Sequence, residues 1–136
     1  MAVLDTTLLI DLMREAKRRT TGRAIQKLHE LVQRGESLRV SLFTIAELYV
    51  GVAKGTQPNR ERKAIEAALQ TFDIVPFERA TAEIFGGIVG ELERKGIPIS
   101  DMDALIASTA LELADVLVTR NPRHFNRIPG LAVESY

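Results

Sequence analysis

The 136-residue sequence predicts an α/β sandwich, a mostly parallel sheet flanked by helices. Short apolar runs alternate with longer segments of helical spacing from one end of the chain to the other. No linker, internal repeat or low-complexity tract interrupts them, so residues 1–136 read as a single domain. Several polar residues sit at the seams between elements, where parallel sheets place their functional crevice.

Ala2, Val3 and Leu4 form a buried strand, Asp5 ends it, and Leu8, Leu9, Leu12 and Met13 set the helical spacing of the next segment. Ala24, Ile25, Leu28, Leu31 and Val32 make a second helix that Gly35 ends. Leu38, Val40 and Leu42 alternate as a strand. Thr44 opens a helix with Ile45, Leu48, Tyr49 and Val52, closed by Gly55. A weaker helical pattern covers residues 59–71, and Ile74 and Val75 give a brief strand stopped by Pro76. Ala82, Phe85, Ile88, Val89 and Leu92 mark a helix despite three internal glycines. Ser100 begins another with Leu105, Ile106, Ala110 and Leu113. Val116 to Val118 form a buried strand, Asn121-Pro122 a turn, and Leu131 to Val133 a final edge strand.

Apolar residues make up 46% and charged residues 26% of the chain, the balance of a globular protein rather than a disordered one. Net charge is zero, which removes any bulk polycation signal for nucleic acid. There is no cysteine, so disulfides and thiolate metal sites are excluded. No apolar run approaches the length of a bilayer span, and no basic segment leads into a long apolar one. A cytoplasmic protein without membrane contact is the expectation.

Thr44 to Glu47 and Ser100 to Asp103 share one spacing, a hydroxyl residue followed three positions later by an acid. Singly, these resemble helix capping boxes, and Asp5 an N-cap. Together they carry another possibility. If the sheet gathers Asp5, Glu47 and Asp103 at one edge, each pair about 4 Å apart repels by about 4 kcal/mol at an effective dielectric of about 20. Such repulsion calls for a cation or a raised pKa. Oxygen-only ligands select hard ions, Mg²⁺ or Mn²⁺, which suit phosphodiester hydrolysis.

The segments VLDTTLLIDL, VSLFTIAELYVG, PISDMDALIASTAL and DVLVTRNPRHFNRIPGLAV, in this order and spacing, resemble the PIN domain and, within it, the VapC toxins of toxin–antitoxin pairs. The likeness covers essentially the whole chain. It implies a PIN-like three-layer α/β/α sandwich and a Mg²⁺- or Mn²⁺-dependent endoribonuclease. It places the catalytic and metal-binding acids on Asp5, Glu47 and Asp103. The family's fourth polar position falls on Asn121, an uncharged departure from a four-acid pattern that weakens the case for a second metal. Thr6, Thr7 and Thr119 are candidates to bond the carboxylates. Asp101 is a candidate to compensate for Asn121, although its spacing from Asp103 turns it elsewhere on a helix. The resemblance also implies RNA such as tRNA or rRNA loops as substrate, products with a 5′ phosphate and 3′ hydroxyl, a homodimer, and a VapB-type antitoxin.

An acidic site needs cationic flanks to hold phosphates. Arg120, Arg123, His124 and Arg127 form an acid-free run beside Asn121 and are the expected substrate contacts. The runs Arg14, Lys17, Arg18, Arg19, Arg23 and Arg60, Arg62, Lys63 read as solvated helix surface. Aromatic residues are few, so extensive base stacking is not expected. Apolar helix surface around Phe43, Tyr49 and Val52 is a candidate dimer or antitoxin contact. Three other readings stand beside this one: a housekeeping RNA-processing nuclease, a non-catalytic PIN-like binding module, and a phosphatase with Asp5 as nucleophile. Thr7, where a haloacid-dehalogenase pattern needs a second aspartate, argues against the last.

Overall fold

Five parallel strands in the order β3-β2-β1-β4-β5 form the central layer of the computed structural model, which describes residues 1–136. The strands are β1 (Ala2–Leu4), β2 (Leu38–Ser41), β3 (Asp73–Val75), β4 (Val116–Thr119) and β5 (Val133–Ser135). The helices are α1 (Thr6–Arg18), α2 (Arg23–Gln33), α3 (Leu42–Lys54), α4 (Pro58–Leu69), α5 (Arg79–Arg94), α6 (Asp101–Leu113) and the single turn α7 (Pro122–Phe125). The alternation read in the sequence is therefore present, and the expected mostly parallel sheet is parallel throughout.

Strand β1 lies between β2 and β4, pairing Ala2 with Leu38 and Val3 with Leu117. Its residues are fully buried because helices cover both faces, which is why the run is continuously apolar. Ala2, Leu4 and Val118 join Leu8, Leu31, Leu48 and Ile65 in a core beneath α1–α4. Val3 and Leu117 point the other way, to Leu92, Ile106, Ala107 and Phe125 beneath α5–α7. The period-two alternation of strand side chains thus divides the core into two.

The chain leaves β1 toward β2 and β3 on one side and fills β4 and β5 on the other. This makes the carboxyl ends of β1 and β4 a topological switch point. Helices that precede a parallel strand run back against it, so α6 begins at that same edge and delivers Asp103 there.

Three local expectations shift. Helix α3 starts at Leu42 rather than Thr44, because Ser41 is its N-cap and accepts from the Thr44 N–H at 3.2 Å. Thr44 is then the third residue of the helix and no capping residue, so the proposed Thr44–Glu47 box does not form. At α6 the hydroxyl half of the box is present, with Ser100 Oγ accepting from the Asp103 N–H at 3.2 Å. The last strand is Val133–Ser135, while Leu131 packs on the core beneath α5–α7. The helix glycines Gly86 and Gly87 have open space around an added Cβ, so close helix packing within the chain does not explain them.

The turn from α1 to α2 is held by one side chain. Glu15 accepts from the backbone N–H groups of Gly22 (3.0 Å), Ala24 (3.0 Å) and Ile25 (2.9 Å). Its carboxylate caps the otherwise unpaired amides of α2 and sits at the positive end of the helix dipole. A Cβ at Gly22 would lie 2.4 Å from Glu15 Oε1, so a larger residue there would push the Glu15 carboxylate off the amides it caps. No helix is long and apolar enough to cross a membrane. Glu15→Ala is expected to lower the unfolding free energy by about 1–2 kcal/mol in urea denaturation, and Glu15→Gln, which keeps one acceptor, by less.

Candidate active site

Asp5 is the first residue past β1 and the N-cap of α1, and it is almost wholly buried. Its Oδ1 accepts from the Thr6 N–H at 2.8 Å. Its Oδ2 accepts from two hydroxyls, Thr119 at 2.7 Å and Thr7 at 3.0 Å. Both hydroxyls then serve as acceptors. Thr119 Oγ1 takes the Asn121 N–H at 3.0 Å, and Thr7 Oγ1 takes the Arg120 N–H at 3.2 Å. The segment after β4 is therefore wired to Asp5 through its backbone. Capping and presentation of Asp5 at the site are compatible roles, as the sequence suggests.

Glu47 lies on α3 and bonds Thr6, whose Oγ1 donates to Glu47 Oε1 at 2.6 Å. The buried Thr44, one turn earlier on α3, contacts the same Thr6 hydroxyl at 3.1 Å. Asp103 Oδ2 is 3.0 Å from His124 Nδ1 on α7. This pair follows from no sequence spacing; it arises because α6 and α7 both begin at the carboxyl edge of the sheet.

The acids feel one another. Burial raises the Asp5 pKa above its usual range against the pull of the three threonine bonds, and the charge of Asp103 adds to the rise. Burial also raises that of Glu47, opposed by the Thr6 hydroxyl, with Asp5 and Asp103 both contributing. These are costs of gathering like charges in a partly desolvated space. Glu47 Oε2 and Asp103 Oδ1 take no hydrogen bond within the protein. An all-carboxylate donor set with such unengaged oxygens fits a hard divalent cation. In this conformation the three carboxylates do not close into a three-ligand cage.

The other predicted residues divide. Asn121 begins α7 beside the site but its side chain caps nothing. Asp101 is exposed at the first position of α6 and makes no contact with the acids, so it does not compensate for Asn121. Arg120, Asn121, Pro122, Arg123 and His124 line a cleft of about 300 Å³ that adjoins the acids. Arg127 Nε donates to the His124 carbonyl at 3.3 Å and is exposed. Of the apolar residues expected to meet partners, Val52 is in the core and Phe43 packs edge-on against Phe77, with ring centroids 5.1 Å apart. Tyr49 is exposed, and with Leu42, Ala46 and Val50 it forms an uncovered apolar stripe along α3.

A raised carboxyl pKa in the folded state means that ionisation costs stability above the folded pKa, and that the cost disappears below the unfolded one. Glu47→Gln is therefore expected to melt at a higher temperature than wild type at pH 7 in a chelator. The difference should vanish in melting curves taken below about pH 4.5, the ordinary glutamate value.

The PIN domain pattern matches residues 2–131. The chain is 33% identical over 107 residues to Ribonuclease VapC2 of Rickettsia felis, covering 79% of this chain and 80% of that one. It is 31% identical over 134 residues to Ribonuclease VapC2 of Haemophilus influenzae, covering 98% and 96%. It is 34% identical over 97 residues to the tRNA(fMet)-specific endonuclease VapC of Salmonella typhimurium, covering 71% and 74%. Among solved structures, VapBC2 from Rickettsia felis bound to a promoter DNA fragment superposes with a TM-score of 0.88 at 27% identity, over 99% of this chain and 98% of that one. DNA-bound VapBC from Salmonella typhimurium superposes with a TM-score of 0.86 at 29% identity, over 98% and 96%. With the family pattern spanning residues 2–131 and relatives more than 30% identical over most of their length, the chain belongs to the PIN-domain family and, within it, to the VapC ribonucleases.

Proposed function

We propose that this chain is a divalent-metal-dependent endoribonuclease and the toxin of a type II toxin–antitoxin pair. The observation that carries the reading is the gathering of Asp5, Glu47 and Asp103 at the β1/β4 switch point, where burial makes Asp5 and Glu47 costly to ionise and the Asp103 charge adds to that cost. Helix capping by Asp5 alone does not call for two further acids within range of its charge, whereas a cation site does. That favours a catalyst over a non-catalytic PIN-like module. The family's VapC relatives, and solved neighbours that are VapBC complexes, favour the toxin over a housekeeping nuclease.

Asp5, Glu47 and Asp103 are the residues that would hold Mg²⁺ or Mn²⁺, with Asn121 as a weaker, uncharged oxygen donor beside them. A cation bound there supplies Lewis acidity at the phosphate. The chain's own residues do the rest. Thr6, Thr7 and Thr119 fix the Asp5 and Glu47 carboxylates through hydroxyl bonds, which orients two of the three acids in advance. The cleft lined by Arg120, Arg123 and His124 places cationic and hydrogen-bonding groups beside the acids, where an RNA backbone would otherwise be repelled.

The substrate is single-stranded RNA, such as a tRNA or rRNA loop or an mRNA, cut to leave a 5′ phosphate and 3′ hydroxyl. One flexible strand suits an open, polar cleft with few aromatic residues. The partners are a VapB-type antitoxin and a second copy of this chain, to which the apolar stripe Leu42, Ala46, Tyr49 and Val50 on α3 offers a face. The reading places the protein in the cytoplasm, where its substrate is.

Purified protein is expected to cleave single-stranded RNA with Mg²⁺ or Mn²⁺ and not in a chelator. Asp103→Asn should lower cleavage at least about a hundredfold while leaving the melting temperature near that of wild type, as removal of a charge acting on the transition state does. Cleavage that survives the chelator, or survives Asp103→Asn, would contradict the reading.

A further inference from the structure

Asp11 lies outside the acidic group, yet its carboxylate ties Arg120, at the rim of the site, to Tyr136 at the end of the chain's last strand. It stands one turn after Thr7 on α1, on the same face. Thr7 takes the backbone N–H of Arg120, and Asp11 takes its side chain. Arg120 Nη1 donates to Asp11 Oδ1 at 2.7 Å and to Oδ2 at 2.8 Å. The hydroxyl of Tyr136 donates to the same Oδ2 at 2.8 Å. Tyr136 follows β5 directly and is half-buried against the core beneath α1. The ends of β4 and β5 and one face of α1 therefore meet at a single carboxylate.

The way Asp11 holds the guanidinium matters. Both of its oxygens share one nitrogen, Nη1, and no hydrogen bond within the protein uses Nη2 or Nε. A carboxylate that merely neutralised an arginine would be expected to take the two-nitrogen fork that guanidinium offers. Here the fork is left open and Arg120 remains partly exposed, on the cleft shared with Asn121 and His124. The tie from Tyr136 keeps Asp11 from turning away, and the backbone bond to Thr7 fixes where the arginine starts.

We propose that Asp11, braced by Tyr136, is a positioning residue that aims the free edge of Arg120 at an RNA phosphate next to the bond to be cut. The inference rests on the ribonuclease reading and adds to it a specific phosphate contact and the two residues that hold it.

Charge and positioning make opposite forecasts for Asp11→Asn. Loss of a negative charge beside the cleft, acting alone, strengthens RNA binding; loss of the hold on Arg120 weakens it. Binding of a fluorescent single-stranded RNA oligonucleotide to the whole protein, measured by anisotropy in a chelator across a series of salt concentrations, separates them. Arg120→Gln is expected to weaken binding about tenfold and to make the salt dependence shallower by about 0.7 in log–log slope, one phosphate contact on a single strand. Asp11→Asn is expected to weaken binding about threefold to tenfold, and the Asp11→Asn, Arg120→Gln pair no more than Arg120→Gln alone. Tyr136→Phe, which changes no charge, should weaken it about twofold and carries the test if Asp11→Asn fails to fold.

Equal or tighter binding by Asp11→Asn or Tyr136→Phe overturns the proposal. Effects that multiply in the double variant overturn it as well, since Asp11 would then act independently of Arg120. Failure of this inference alone leaves wild-type cleavage intact and dependent on Asp103, whereas failure of the ribonuclease reading removes RNA cleavage from the wild type itself.

Discussion

The hydrogen bonds that Thr119 and Thr7 give to Asp5 are the constraint on which the rest of the site depends. They join β4 and α1 to the end of β1, the middle strand, and they do so at the one place where the sheet's connections diverge. Asp5 is buried there at a cost that its three donors only partly offset. Once that carboxylate is fixed, the neighbouring groups follow. Thr6, the next residue, reaches Glu47; Thr7 and Thr119 receive the backbone of Arg120 and Asn121; and the start of α6 brings Asp103 close enough for its charge to be felt.

A site held this way accepts instability as a condition of use. Proteins commonly keep strained or repulsive groups where chemistry needs them and stabilise the fold elsewhere. Away from the acids this chain shows such compensation. Lys27 on α2 and Arg34 just past its end pair with Glu134 on β5, and Arg34 holds the Glu134 carboxyl down to about 2. Arg39 on β2 pairs with the buried Asp115 at 2.8 Å, ahead of β4. These opposite-charge ties cross the sheet between non-neighbouring segments, while the like charges are concentrated on its carboxyl edge.

Much of this was legible in the residues. Continuous apolar runs gave away buried parallel strands, and Asp5, Glu47 and Asp103 stood at seams where a parallel sheet puts its crevice. What was hidden depended on rotation and register. Ser41 and Thr44 are equally able caps by type; the cap at Ser41 puts Thr44 and Glu47 on one face of α3, both directed at Thr6. Leu131 looked like strand and proved to be core, since the register of β5 pairs Val133 with Leu117. Asp11 and Tyr136 gave no signal because Asp11 lies more than a hundred residues before both of the groups it bonds, Arg120 and Tyr136. His124 met Asp103 through the placement of two helix starts, which no local pattern encodes.

The central claim is that Asp5, Glu47 and Asp103 share one hard cation, and diffraction from crystals soaked in Mn²⁺ tests it most directly. At the manganese absorption edge, the account predicts a single strong anomalous peak between the Asp5 and Asp103 carboxylates. Glu47 should reach it directly or through one water, and the acids should lie closer together than in the metal-free protein. An anomalous map with no peak at the β1/β4 switch point, or with manganese held by other residues, would contradict it.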